Sequence, residues 1–215
     1  MTNTLQTTAA FLAENGGNVA DHRGIVGLDG FVDQIVRVVD RIDSDGNDIY
    51  FDTIADFAAR LQRAAGKSTA IELAVQTVKL GGNGPIMANA LACLSLDLTY
   101  IGAVGSGGKL HPVFRPMEDN CRVIPVSKVA QTDALEFRDG KLMFQQMKCL
   151  DDLTYGAIES VVGPEDLREL FDEADFVALD HWASLPNMSD IWRRLQNKVC
   201  PHLRSRQLPD SLTRS

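Results

Sequence analysis

Helical and extended spacings of apolar residues alternate along the chain. Ile54, Phe57, Ala58, Leu61 and Ala65 recur every three or four positions and predict a helix over 53–65, closed by Gly66. Thr8–Asn15 reads as a shorter helix closed by Gly16-Gly17. Pro164–Ala174 reads as a helix with acidic residues in its first turn, and Ser189 as the cap of a helix running from Asp190 to about Val199. Ile25–Leu28 opens a buried strand, and Phe31–Val39 is rich in β-branched residues. Further strands are expected at Ile49–Phe51, Cys121–Val126 and Phe176–Leu179, with a hairpin over Ala134–Phe144 turning at Asp139-Gly140. Ile71, Leu73 and Val75 alternate with other positions and are expected to form the buried side of a strand over 71–77. A glycine loop, an Ala-rich helix and the apolar strand Leu98–Val104 follow, the order expected of a βαβ unit with parallel strands. After Leu203 the periodicity stops, so 204–215 is expected to be a disordered tail.

Charge narrows the range of functions. The 215 residues carry 29 Asp and Glu against 21 Lys and Arg, a net charge of −8. Nucleic-acid binding through net charge is disfavoured, because phosphate contacts need clustered cations. No apolar run approaches the roughly 20 residues needed to span a bilayer, and Met1–Thr8 is mostly polar. Cys93, Cys121, Cys149 and Cys200 form no CxxC pair, so neither a zinc site nor a disulfide framework is expected. A reduced, cytoplasmic protein without membrane or nucleic-acid partners fits these features.

Three loops can carry chemistry. Gly27-Leu-Asp29-Gly30-Phe-Val-Asp33 places two carboxylates at the end of an early strand, where ligands sit in open α/β sheets. A turn with solvated aspartates is the other reading. Gly81-Gly82-Asn83 opens the Ala-rich helix; consecutive glycines let backbone approach a ligand, and Asn83 can cap the helix or bond a hydroxyl. A tight strand-to-helix turn explains the same residues. Gly102–Lys109 fails the phosphate-loop spacing, since Ala103 takes the first glycine position and Leu110 follows the lysine, and it reads as a flexible connection. His22, His111, His181 and His202 show no metal spacing, and Trp182 and Trp192 read as packing residues.

The order of the pieces, Gly27–Asp33, then Gly81–Ala92, then Ile101–Gly105, resembles the ribokinase-like (PfkB-type) carbohydrate kinases. The resemblance implies a Rossmann-like α/β sandwich with a small β-sheet lid, whose strands fall near 36–51 and 121–147. It implies transfer of the ATP γ-phosphoryl, with magnesium, to a hydroxyl of a sugar or nucleoside. By position, Asp33 resembles the aspartate that holds substrate hydroxyls, with Asp29 and Gly30 beside it, and Gly81, Gly82 and Asn83 resemble the sugar-binding loop. Ile86 and Ser106 stand where the family carries Asn and an acidic residue. The family's C-terminal Gly-Ala-Gly-Asp, which supplies the catalytic base, has no counterpart after residue 150. The chain is therefore expected to be an incomplete domain over 1–203, without catalytic residues or the nucleotide-binding segment. The alternative is a non-enzymatic sugar-binding or dimerising remnant, pairing through the lid or an exposed sheet edge.

Overall fold

The computed structural model describes residues 2–15 and 20–204. In chain order the first half holds α1 (Thr2–Asn15), β1 (Arg23–Gly27), β2 (Phe31–Ile42), β3 (Asp48–Tyr50), α2 (Ile54–Ala64), β4 (Leu73–Gly81), α3 (Asn83–Ala92) and β5 (Asp97–Gly102). The second half holds β6 (Gly105–Ser106), β7 (Lys109–Leu110), β8 (Arg122–Pro125), β9 (Ala130–Phe137), β10 (Gly140–Gln146), α4 (Tyr155–Val162), α5 (Pro164–Glu173), β11 (Phe176–Leu179) and α6 (Met188–Lys198).

Strand alternation builds a three-layer sandwich. The main sheet runs β11-β1-β5-β8 with every pair parallel. Adjacent side chains on a strand point to opposite faces. Val26 and Tyr100 therefore pack with Ala88 of α3, Phe114 and Met117 on one side. Ile25 and Ile101 pack with Ile158, Leu167, Phe171, Ile191 and Leu195 of α4, α5 and α6 on the other. All four strands end at the same edge, so the loops after β1, β5, β8 and β11 meet there.

The second sheet grows from β2. Its first half pairs antiparallel with β4 and parallel with β9, and its far end pairs with β3. The hairpin expected at Asp139-Gly140 forms between β9 and β10. The face carrying Val36, Val38 and Leu135 is covered by Phe57 of α2 and by Phe51. Thr53 starts α2, its hydroxyl accepting from the Asp56 amide.

Several sequence expectations change here. β4, α3 and β5 are not a βαβ unit, because β4 belongs to the second sheet and β5 to the main one. Leu73 and Val75 are 47% and 49% exposed, since β4 is an edge strand whose side chains lack a covering layer. Gly102–Lys109 is no flexible connection: β6 and β7 form a hairpin across Gly107 and Gly108, both at positive φ. Helix α6 starts one residue before Ser189, with Asn187 at its cap position, and the Asn187 amide instead donates to the carbonyls of Asp151 and Leu153. Trp182 is 56% exposed rather than packed. The expected closing pair Gly16-Gly17 and the tail from 205 onward lie outside the described residues.

Candidate functional site

Asp29 organises the edge where the strands end. Its side chain is completely buried. One carboxylate oxygen accepts from the Asn83 amide at 2.9 Å and lies 2.5 Å from His181 Nδ1; the other accepts from the Gly84 amide at 2.8 Å. These amides belong to the first turn of α3, where backbone donors lack intrahelical partners and the helix dipole favours an anion. The buried Tyr100 hydroxyl donates to the Asp29 carbonyl. With Nδ1 of His181 donating to Asp29, Nε2 accepts from the Ser184 hydroxyl at 2.9 Å. Asp29 thus ties the end of β1 to the glycine loop and to the loop after β11.

Asp33 lies on β2, two strand positions beyond Phe31, and faces the glycine loop. Its register partners are Lys79 on β4 and Thr132 on β9. A Cβ added to Gly81 would lie 2.2 Å from Asp33 Oδ2, so the loop backbone touches this carboxylate. Gly82 has φ +99, and a Cβ there would fall 2.8 Å from Asp29 Oδ2. Both positions need glycine, one for close approach and one for conformation as well. Burial pushes the Asp33 pKa up from 3.8, opposed by the Thr132 hydrogen bond and Lys79 and reinforced by Asp29.

Asp180 and His181 follow directly on β11. The Asp180 amide donates to the Gly27 carbonyl at 2.8 Å, which holds this loop against β1. Burial raises the Asp180 pKa to about 6, with Asp29 adding to the rise. Its Oδ1 is buried without a hydrogen-bond partner among the described residues. His181 adopts φ +61, a left-handed conformation uncommon outside glycine, and its ring sits 5.6 Å from that of Phe31.

The six residues singled out by sequence converge, in different ways. Asp33, Gly81 and Gly82 form one wall. Gly30 is packed between sheets: a Cβ there would fall 2.2 Å from the Ala103 carbonyl, while its own carbonyl accepts from Ala130. Asn83 does not cap α3 with its side chain, since Gly82 holds the cap position; the exposed Asn83 amide group makes no hydrogen bond among the described residues. His181, Ser184, Tyr100, Thr132 and Asp180 escaped the sequence reading. The end of the Phe176–Leu179 strand was the signal that could have marked Asp180 and His181.

A four-stranded parallel sheet flanked by helices on both sides, with a second, five-stranded sheet beside the strand ends, is the ribokinase-like sandwich of the PfkB-type carbohydrate kinases. A carbohydrate kinase from Agrobacterium tumefaciens is similar in structure, with 18% identity, TM-score 0.52 and coverage of 81% of this chain and 51% of that one. Ribokinase from Cryptococcus neoformans, solved in complex with ADP, is similar at 13% identity and TM-score 0.47, covering 86% of this chain and 48% of that one. The ketohexokinase of Haloferax volcanii is 30% identical over 186 residues, which is 84% of this chain and 48% of the relative. The chain thus spans about half the length of the curated relative it matches. The family model of prokaryotic ketohexokinase matches residues 2–212, and the chain belongs to that family.

Proposed function

We propose that this chain carries the acceptor-binding half of a PfkB-type sugar kinase, with a ketohexose as the acceptor. The observation that supports the reading is the contact between Asp33 and the double-glycine bend, in a member of the ketohexokinase family. Asp33 accepts hydrogen bonds from adjacent sugar hydroxyls. The Gly81-Gly82 backbone presses against the ring, and the Asn83 side-chain amide, which makes no hydrogen bond among the described residues, supplies a donor and an acceptor. Asp29 has both oxygens engaged within the protein, so its part is to position the loop. Gly30 lets the second sheet approach the main one, and that sheet serves as the lid that excludes water from the acceptor.

ATP is the donor we propose for the whole reaction. Among the described residues no group of three acidic, histidine or cysteine side chains could hold a metal ion. No Gly-x-Gly-Asp follows residue 150. These residues do not fit the magnesium–nucleotide end of the reaction, and no transfer step is derived from them. A second reading is a chain that binds sugar without turning over ATP.

Leu73, Val75 and Val78 on edge strand β4 are about half exposed, and a second copy of the chain is the partner we propose for them. No helix among the described residues is long and apolar enough to cross a membrane. With every cysteine unpaired, we propose a cytoplasmic setting.

Thermal melts over a panel of ketohexoses, aldohexoses and nucleosides test the acceptor. A ketohexose raises the midpoint and Asp33→Ala abolishes the rise; stabilisation by nucleosides alone contradicts the proposal. Sugar-dependent ADP release then separates the two readings: stabilisation without release selects the binding module.

A further inference from the structure

Two adjoining clefts of about 440 and 620 Å³ share Lys128, Val129 and Gln131. The first also takes in Ser106, Lys109 and His111; the second reaches Lys148. No acidic residue lines either one, although the chain carries eight more acids than bases. Three other clefts of the described residues each mix both signs: Arg23 and Arg122 with Asp97 and Glu173, Arg168 and Arg204 with Glu165 and Asp172, Arg41 and Arg63 with Asp40 and Asp56. Unmixed positive charge on an acidic protein raises the local concentration of anions.

The cations are also unspent. Lys148 pairs with Asp151, but Lys109 and Lys128 make no ion pair among the described residues. His111 Nδ1 accepts from the Val113 amide, which leaves Nε2 as a donor when the ring is neutral. Gln131 donates to the nearby Asp133 carboxylate at 2.8 Å, which occupies one of its oxygens.

The groove is built on fixed elements. The β6–β7 hairpin presents Ser106 and Lys109 as direct register partners. The Gly105 amide donates to the Ser127 carbonyl, one residue before Lys128, and the His111 amide to the Val104 carbonyl. Little order has to be imposed when a ligand arrives.

This groove is not the sugar cradle. Val32 and Gln131 are register partners and line it, while Asp33 and Thr132 are the next pair along the same two strands. Consecutive strand positions face opposite sides, so cradle and groove stand back to back across the second sheet.

We infer that this groove binds a small molecule bearing a phosphate group, held by Lys109, Lys128 and the His111 Nε2–H. The inference rests on charge and sheet geometry and not on the proposed acceptor. Charge-assisted bonds to phosphate oxygens supply affinity, and the cleft volume admits the sugar or nucleoside that carries the phosphate.

Titration calorimetry of the full chain with inorganic phosphate, ribose 5-phosphate and AMP, without magnesium and at constant ionic strength, tests it. Saturable binding is expected, weakened at least tenfold by Lys109→Ala combined with Lys128→Ala and unchanged by Lys67→Ala, an exposed lysine elsewhere. Tighter binding of one organic phosphate identifies the carrier as sugar or nucleotide, and equal binding of all three shows that the phosphate alone is read. Absence of saturation with every probe, or binding that the double variant leaves intact, overturns the inference.

Discussion

Asp180 is the side chain whose charge sits least comfortably in this fold. Folded, it keeps its proton up to about pH 6; an ordinary aspartate releases it near 3.8. Between those values the native state binds more protons than the unfolded chain, so this group makes stability fall as pH rises from 3.8 to about 6. Asp180→Asn is therefore expected to melt higher than the parent above pH 6, with the gain vanishing below pH 3.8, as scanning calorimetry across pH would show. The Asp29 carboxylate is matched by two amides and a histidine. Replacing it with Asn sets an NH₂ group against those donors and is expected to cost about 3 kcal/mol in denaturant unfolding, the scale for breaking a buried charged pair. At Gly82, φ +99 and the 2.8 Å approach to Asp29 together make Gly82→Ala destabilising by about 2 kcal/mol, combining backbone strain with crowding. Burial of Asp33 gives binding its own pH signature. Sugar affinity, which needs the carboxylate, is expected to weaken with falling pH before an ordinary aspartate at 3.8 would titrate.

Strand β4 shows how an element's sequence can be read correctly and its place missed. Its three half-exposed apolar side chains lie on an edge, where unpaired backbone invites association. Light scattering after gel filtration is expected to give twice the 23.5 kDa chain mass, and Val75→Lys with Val78→Lys to give the single mass. A monomeric parent would contradict the pairing. The alternation at 71–77 did mark a strand, and the glycine loop and Ala-rich helix did follow it. What spacing could not supply was the partner: β4 pairs with β2, some forty residues earlier, and not with the strand beyond the helix. The helices over 54–64 and 164–173 were legible because their apolar periods and caps are local. Asp33 and Gly81 were legible as strand-end and loop residues. His181 was not, because 152 residues separate it from Asp29 and no local period links them.

At the scale of the fold, two sheets share one seam. The main sheet delivers its strand ends to that seam, and Asp29 binds the end of β1 to the loop after β11 and to the glycine loop of the second sheet. The second sheet turns Asp33 towards the glycine bend on one face and leaves behind the other a groove in which Lys109 and Lys128 make no ion pair among the described residues. In a chain of net charge −8, that groove is lined by lysines and no acidic residue. The acceptor cradle we propose rests on membership of the ketohexokinase family and on the geometry around Asp33, in a chain that spans about half of its relative. Titration calorimetry with D-fructose is the decisive measurement. The parent chain should bind one fructose saturably, and Asp33→Ala should lose at least tenfold in affinity while keeping the parent's melting profile. Equal affinity in both proteins, or no saturable heat in the parent, would show that the cradle is not built where Asp33 meets the glycine bend.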